Sequence, residues 1–316
     1  MIQFFKLIRF QNLLIIVFTQ YFMRWSIIKP ILNINNFKLQ FSEINFFFLV
    51  LSTVFITAAG YVINDYFDTK TDSMNRPGTV IVGRFIKRRA AMLLHIIFNI
   101  SGISLGFYIS FRINLPFLGF VFVLVSGLLW FYSTTYKQQF LIGNVIVAFL
   151  TAVVPFIVVV FEIPLLNKAY GEIMLQSISN FNNILAWVSG FSFFAFITTL
   201  IREIIKDIED FEGDNAFGRN TMPIMIGVYY TKVVVVFLCS LTVIALLYIF
   251  LSYLNDTITL IYFIFTMLIP FSLIIFKIIQ AKEKKDYHIV SSLSKFIMLA
   301  GIMYALVANY IISQNF

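Results

Sequence analysis

The sequence predicts an all-α protein that crosses a membrane many times, and three observations carry this prediction. Of the 316 residues, 60% are hydrophobic and only 12% are charged, against roughly one quarter charged in soluble domains. Apolar runs of about 20 residues, the length that a helix needs to span a bilayer, recur along the whole chain. Because these runs are continuous instead of alternating, they exclude a membrane β-barrel.

The apolar runs follow one another without a polar linker that would divide the chain. We therefore predict about nine transmembrane helices in a single membrane domain of residues 1–316. The predicted spans are residues 10–28, 44–64, 91–110, 115–133, 141–161, 184–204, 224–250, 258–279 and 295–313.

Basic residues are unevenly distributed between the two sides of this predicted membrane domain. With a cytoplasmic N-terminus, five of the 23 Lys and Arg residues fall on the opposite side, namely Arg24, Lys29, Lys38, Arg112 and Lys168. Lys and Arg accumulate in cytoplasmic loops. The pattern therefore predicts a protein of a bacterial or archaeal plasma membrane, in contact with membrane lipids, with its N-terminus inside. The net charge of +8 does not indicate a nucleic-acid partner, because the basic residues are dispersed among apolar helices.

The chain contains too few cysteine and histidine residues for an intrachain disulfide or for the common zinc motifs. The single cysteine, Cys239, lies in an apolar run, so the chain has no intrachain disulfide and no C-x-x-C motif. His95 and His288, the two histidines, are far apart in sequence and do not form an H-E-x-x-H zinc motif.

Acidic residues are concentrated in two short windows, after the second and the sixth predicted spans. Each window reads Asp-x-x-Asp-x-x-x-Asp, and on an α-helix these offsets put three carboxylates on one face. Equivalent aspartates lie 142 positions apart, which indicates an old internal duplication. Four spans separate the windows, so both return to the cytoplasmic side with the same polarity. The two clusters are Asp65, Asp68 and Asp72, and Asp207, Asp210 and Asp214.

Carboxylates at this spacing repel one another unless cations offset their charge. Mg²⁺ prefers oxygen ligands and is typically held by a few carboxylates together with substrate phosphate oxygens. Two such clusters therefore predict a magnesium-bound polyphosphate clamped between them. Nearby cations suited to a leaving diphosphate are Arg76, Arg202 and Lys206.

These motifs resemble the UbiA superfamily of intramembrane prenyltransferases. The resemblance rests on N-D-x-x-D-x-x-x-D from Asn64, K-D-x-x-D-x-x-x-D from Lys206, and the N-R-P of residues 75–77, and it extends over essentially the whole chain. It implies about nine helices around a central cavity, an isoprenyl diphosphate donor bound through Mg²⁺, and attack by a lipophilic acceptor on an allylic carbocation.

The resemblance also implies roles for individual residues. All six aspartates of the two clusters are expected to bind metal, and four of them are expected to be catalytic: Asp65, Asp68, Asp207 and Asp210. The residues expected to bind the diphosphate or line its pocket are Asn64, Arg76, Lys206, Arg202, Tyr136, Lys137 and Asn144. For Tyr136 and Lys137, an interfacial aromatic and a basic residue that sets topology are equally good interpretations. The chain departs from many relatives in two places. It lacks a second R-P after N-R-P, and it has Arg202 where they have tyrosine.

Residues 202–214 look most like the branch that attaches a geranylgeranyl group to a glycerol phosphate ether. Two alternatives stay open at this point. One is an aromatic acceptor in quinone biosynthesis, because similar segments occur in such enzymes. The other is a non-enzymatic, ion-binding transporter, although carboxylates on a transport path are expected near mid-membrane instead of at helix ends.

Overall fold

A computed structural model describes residues 2–75, 78, 80–177 and 181–314, and these residues are almost entirely helical, with no β-strand among them. The α-helices are α1 (Ile2–Leu7), α2 (Phe10–Phe22), α3 (Lys29–Ile34), α4 (Glu43–Asn75), α5 (Arg88–Arg112), α6 (Gly119–Thr134), α7 (Ile142–Ser177), α8 (Asn182–Glu209), α9 (Phe211–Ala216), α10 (Met222–Ile249), α11 (Thr257–Phe263), α12 (Ile269–Gln280) and α13 (Lys284–Gln314). The predicted all-α fold class is confirmed.

Eight helical segments in the described residues are long and apolar enough to cross a membrane. They correspond to the second to ninth predicted spans, of which the fourth and fifth begin one residue before their helices. The first predicted span, residues 10–28, is also helical, since α2 continues through a π-helical turn, Met23–Ile28, into α3. It is less apolar than the others because it contains polar residues such as Gln11, Gln20 and Arg24.

Several helices extend beyond the predicted apolar spans. Helix α13 begins at Lys284, eleven residues before the predicted span, and its first turns contain charged residues. Helix α4 continues to Asn75, well past the predicted end at residue 64. Hydropathy identifies only the part of a helix that is apolar enough to lie in lipid. The hydrogen-bonded helix can continue past that part, so the ends of the helix differ from the ends of the apolar run. This extension of α4 places the first aspartate cluster on the helix itself.

The chain divides into two compact units. The first unit comprises Met1–Lys137 and Val154–Val188, and the second comprises Gln138–Val153 and Ser189–Phe316. In the first unit, α4 packs against α2, α5 and α6. In the second, α12 packs against α10 and α13.

Small residues allow α4 and α5 to approach closely. Gly102 and Gly106 lie one helical turn apart on α5, and the Ser52 hydroxyl of α4 donates a 2.6 Å hydrogen bond to the Gly102 carbonyl. A Cβ added at Gly102 would lie 2.6 Å from Ile56 of α4, whereas one added at Gly106 would lie 2.2 Å from the Phe122 ring of α6, so Gly106 serves the contact between α5 and α6. This spacing of small residues is typical of tight helix packing in membranes.

Candidate active site

The first aspartate cluster lies on the last three turns of α4. Because the helix is unbroken from Glu43 to Asn75, Asp65, Asp68 and Asp72 share one face, as predicted. Asp68 is buried, with 7% of its surface exposed, and the other two are half-buried. The two residues before Asn64, Val62 and Ile63, are fully buried, so the cluster begins where the apolar core of the unit ends.

Lys137 extends to this cluster from a 3-10 turn, Tyr136–Gln138, that follows α6. Its ammonium Nζ lies 2.7 Å from Asp68 Oδ1 and 3.5 Å from Asn64 Oδ1, and its side chain is 7% exposed. A lysine that only set topology would be solvated, so this burial favours the predicted role in the site. The neighbouring Tyr136 is half-buried, and its ring contacts Phe131 at 6.1 Å between centroids.

A second cation at this cluster was not among the residues predicted from the sequence to bind substrate. Arg9 Nη2 lies 3.0 Å from Asp65 Oδ1. Fifty-six positions separate the two residues, so no local motif joins them. The sequence pattern places Arg9 only among the basic residues of the predicted cytoplasmic side.

The second aspartate cluster differs from the first in its backbone. Helix α8 ends at Glu209, and Asp210, with φ −97° and ψ 10°, separates it from the short α9. The second cluster therefore does not lie on one uninterrupted α-helix, as the first cluster does, and a shared face for its three carboxylates stays a prediction. Helix-type hydrogen bonds remain on both sides of the break, from Asp210 N–H to the Lys206 carbonyl at 2.8 Å and from Asp214 N–H to the Asp210 carbonyl at 3.1 Å. The backbone angles depart from helical values at Asp210, while the hydrogen bonds on either side of it remain helical.

Two carboxylates of the second cluster have partners within their own unit. Asn144 Nδ2 donates a 2.8 Å hydrogen bond to Asp207 Oδ2, and Asn144 is 8% exposed. Asp214 is 3% exposed, and its Oδ1 lies 3.0 Å from Arg219 Nη1. Asn144 therefore holds a carboxylate in place, a role additional to the diphosphate contact that was predicted for it.

The two predicted cations of the second cluster share a carboxylate. Glu203 Oε1 lies 2.6 Å from Arg202 Nη1, and its Oε2 lies 3.2 Å from Lys206 Nζ. Only 12% of the Glu203 side chain is exposed. Arg202 and Lys206 lie one turn apart on α8. Glu203 was not predicted as a site residue, although its position between two cations at helical spacing is a signal that could have identified it.

A neighbouring carboxylate, Glu209, is linked to the start of α13. Its Oε1 lies 3.1 Å from His288 Nδ1, and the Glu209 side chain is 5% exposed. The contact ties the last residue of α8, next to Asp210, to another helix of the same unit. The predicted diphosphate residue Arg76 lies outside the described residues.

The donor chemistry of the two clusters fits Mg²⁺. Among the described residues, no three Asp, Glu, His or Cys side chains come together as a complete metal site. Mg²⁺ does not require one, because it keeps several waters and typically binds one or two carboxylates together with substrate phosphates. Half-buried aspartates such as Asp65, Asp72 and Asp210 present the hard oxygen ligands that this ion prefers.

Comparison with known families decides the class of protein. The model of the UbiA prenyltransferase family matches residues 37–308, most of the chain. The chain belongs to the UbiA prenyltransferase family. The resemblance inferred from the two motifs is confirmed, and so is the prediction that the chain is a prenyltransferase.

Individual relatives agree with this assignment. The chain is 32% identical over 253 residues to digeranylgeranylglyceryl phosphate synthase of Methanosphaera stadtmanae, which covers 79% of this chain and 83% of the relative. A UbiA homologue of Aeropyrum pernix K1 has a TM-score of 0.62 at 15% identity, covering 90% of this chain and 97% of that one. A UbiA homologue of Archaeoglobus fulgidus, solved with DMAPP and Mg²⁺, has a TM-score of 0.57 at 17% identity, covering 96% and 99%. The two solved structures show that this UbiA family member has the fold of its family.

Proposed function

We propose that this UbiA family member catalyses the Mg²⁺-dependent transfer of a prenyl group from an isoprenyl diphosphate to a lipophilic acceptor. The observation that carries the proposal is the row Asn64, Asp65 and Asp68 at the end of the apolar helix α4, with Lys137 buried against it. A diphosphate needs cations and metal-binding carboxylates, whereas its prenyl tail needs an apolar surface. The end of α4 offers both.

The residues that would hold Mg²⁺ are the two clusters, Asp65, Asp68 and Asp72, and Asp207, Asp210 and Asp214. When bound, the metal supplies positive charge that stabilises the departing diphosphate. Lys137, fixed by its 2.7 Å contact with Asp68, presents a further cation to phosphate oxygens. Arg202 and Lys206 serve the same purpose and are oriented by Glu203. That both clusters bind one and the same diphosphate stays a prediction of the sequence.

Transfer breaks the bond between the prenyl carbon and the diphosphate oxygen, and the electron pair leaves with the diphosphate. An acceptor oxygen then forms the new carbon–oxygen bond and loses its proton. Water would compete with the acceptor for the carbocation, so the site must be dry. Buried apolar residues just before the cluster, Val62 and Ile63, exclude water from that part of α4.

The acceptor that we propose is a glycerol phosphate ether, and the donor is geranylgeranyl diphosphate. Support comes from the name of the Methanosphaera stadtmanae relative, digeranylgeranylglyceryl phosphate synthase, over an alignment that covers most of both chains. An aromatic acceptor is the alternative that the experiment must test.

We also propose that the clusters and the N-terminus face the cytoplasm and that the two units work as one membrane domain. The distribution of Lys and Arg supports the orientation. The family match, which spans residues of both units, supports the single domain.

The test is diphosphate release by the purified chain in lipid nanodiscs, given geranylgeranyl diphosphate, with and without Mg²⁺. Acceptors supplied one at a time are a geranylgeranylglycerol phosphate and an aromatic acid. We expect release that requires both Mg²⁺ and the glycerol phosphate acceptor. Release with the aromatic acid alone would replace the proposed acceptor, and no release with any combination would refute the proposed activity.

Matched variants assign that activity to the clusters. Asp68→Asn and Asp210→Asn should abolish release, because an amide lacks the charge that Mg²⁺ requires. Asp256→Asn makes the same change outside both clusters, where the side chain caps α11 by accepting a 2.8 Å hydrogen bond from Thr259 N–H. Asparagine caps helices as well as aspartate does, so this control should remain active. Full activity in Asp68→Asn would remove the first cluster from the site.

A further inference from the structure

Arg9 stands at the junction of α1 and α2 with an unusual backbone. Its φ of 49° and ψ of 55° lie in the left-handed region. A residue with a Cβ atom seldom adopts this conformation, because the Cβ crowds the following carbonyl. Such residues persist where surrounding contacts hold them, and they are concentrated at functional sites.

The contacts that hold Arg9 come from one face of α4. Its Nη2 donates to Asp65 Oδ1 at 3.0 Å, and its guanidinium lies over the Tyr61 ring, 4.8 Å from the centroid. The Tyr61 hydroxyl in turn accepts a hydrogen bond of 3.3 Å from Asn12 of α2. Tyr61 and Asp65 lie one helical turn apart, so together they fix both the position and the plane of the guanidinium.

The guanidinium retains donors for a ligand. Its hydrogen bond to Asp65 uses one of its several N–H groups. The Arg9 side chain is 41% exposed, whereas Asp65 is 16% exposed. Arg9 is therefore more exposed than its carboxylate partner, and its hydrogen bond to Asp65 leaves further N–H groups that can donate to an anion.

Phosphate is the anion that suits this arrangement. An arginine held in a fixed plane binds phosphate oxygens through parallel N–H groups, which a lysine cannot do. Asp65 belongs to the cluster that the proposed function assigns to the Mg²⁺-bound diphosphate. The match to the family model begins at residue 37, downstream of Arg9.

We propose that Arg9 is a substrate-binding residue, which donates hydrogen bonds to a phosphate group while its bond to Asp65 and its contact with Tyr61 hold it in place. The inference rests on the proposed function for its setting, since the phosphate belongs either to the prenyl diphosphate or to a phosphorylated acceptor. Both sources have the same chemistry, and the experiment distinguishes them.

The experiment titrates two probes into the full chain in nanodiscs containing Mg²⁺: inorganic pyrophosphate for the donor and glycerol phosphate for the acceptor. Arg9→Asn removes the guanidinium but keeps a residue that tolerates the left-handed backbone. Arg9→Lys keeps the charge without the planar fork. Lys6→Asn removes one positive charge from an exposed position on α1 and is the matched control.

We expect Arg9→Asn to weaken the binding of one probe by about 10-fold to 100-fold, the effect of losing hydrogen bonds to a charged group. Arg9→Lys should weaken it less, and Lys6→Asn should leave it unchanged. Loss with pyrophosphate assigns Arg9 to the donor, and loss with glycerol phosphate assigns it to the acceptor. If Arg9→Asn folds poorly, Arg9→Gly, which accepts the backbone freely, replaces it.

Two results would overturn the inference. One is that Arg9→Asn binds both probes as the parent does, which would make Arg9 a structural residue of the α1–α2 junction. The other is that the parent itself binds neither probe. Because the titration measures binding and not turnover, a parent that binds pyrophosphate through Arg9 but releases no diphosphate would refute the proposed activity and leave this inference standing.

Discussion

At the scale of single residues, Asn144 and Asp207 show how the second cluster is held. Asn144 is buried and gives its amide N–H to Asp207 Oδ2 at 2.8 Å, which fixes the carboxylate that is expected to bind metal. Residues that orient metal ligands are typically worth about 10-fold to 100-fold in metal affinity or activity. The effect of an Asn144 substitution on the Mg²⁺ dependence of the reaction therefore tests this role.

We predict that Asn144→Leu raises the Mg²⁺ concentration for half-maximal diphosphate release by about 10-fold or more. Saturating Mg²⁺ should restore part of the rate, because Asp207 is still present. The double variant Asn144→Leu/Asp207→Asn is the control and should be no worse than Asp207→Asn alone. An unchanged Mg²⁺ dependence in Asn144→Leu would mean that the hydrogen bond does not support metal binding.

The residue scale is also where prediction from sequence was weakest. The two Asp-x-x-Asp-x-x-x-Asp patterns could be found because their spacing is local and repeats along the chain. Arg9, the partner of Asp65, and Lys137, the partner of Asp68, lie far from these aspartates in sequence. Tertiary packing brings each pair together. Lys137 was predicted only through the family resemblance, and Arg9 was not predicted at all as a binding residue.

At the scale of elements, a buried ion pair joins the N-terminal segment to α7 in the first unit. Arg24 Nη1 lies 2.9 Å from Glu162 Oε2, and the two side chains are 1% and 0% exposed. Glu162 Oε1 accepts hydrogen bonds from the backbone N–H groups of Gln40 and Phe41, at 2.6 and 3.1 Å. One carboxylate of α7 thus contacts both the π-helical turn Met23–Ile28 and the backbone of Gln40 and Phe41.

We predict that Glu162→Gln lowers the stability of the protein in detergent by about 3 kcal/mol, because it leaves the Arg24 charge buried without its main counterion. Glu43→Gln is the matched control. Glu43 also lies 3.0 Å from Arg24, but its side chain is 62% exposed, so we expect a loss of about 0.5 kcal/mol or less. The measurement is the free energy of unfolding in mild detergent. Similar losses in the two variants would show that the buried pair contributes no more than an exposed one.

The packing of α4 against α5 gives a second prediction at this scale. Gly102→Ala would put a methyl group 2.6 Å from Ile56 and 3.1 Å from the Ser52 carbonyl, which requires the helices to separate. We expect a destabilisation of roughly 1–3 kcal/mol. Gly127→Ala, on α6, meets nothing within 4 Å and should be neutral or stabilising by up to about 1 kcal/mol. Thermal unfolding of the two variants in the same detergent would compare them, and equal shifts would argue against close packing at Gly102.

The sequence predicts which segments form membrane helices, but it does not predict where several of these helices begin and end. Continuous apolar runs determine which segments can cross lipid, so eight helices correspond to the second to ninth of the nine predicted spans. The break at Asp210 has no signal in the local sequence, because Asp-x-x-Asp-x-x-x-Asp is compatible with an unbroken helix in α4. The charged start of α13 was also missed, since hydropathy does not report helix that continues outside lipid.

At the scale of the whole molecule, the orientation in the membrane is the property that the charges predict most directly. The predicted topology assigns most Lys and Arg residues to the cytoplasmic side, together with the two aspartate clusters, and positive residues resist translocation. Labelling of introduced cysteines can test this orientation, because the single native cysteine, Cys239, is fully buried. The parent should not react with a thiol reagent that cannot cross the membrane.

Cysteines introduced one at a time at exposed lysines then report the side of each loop. We predict that an impermeant maleimide labels intact cells at two positions and labels three others only after the membrane is opened. The first group is Lys38→Cys and Lys168→Cys, and the second is Lys6→Cys, Lys70→Cys and Lys285→Cys. Complete reversal would put the clusters on the outer face, where no cytoplasmic diphosphate could reach them. Labelling of Lys6→Cys together with the first group would mean that residues 10–34 do not cross the membrane, because the rest of the orientation depends only on the eight more apolar helices.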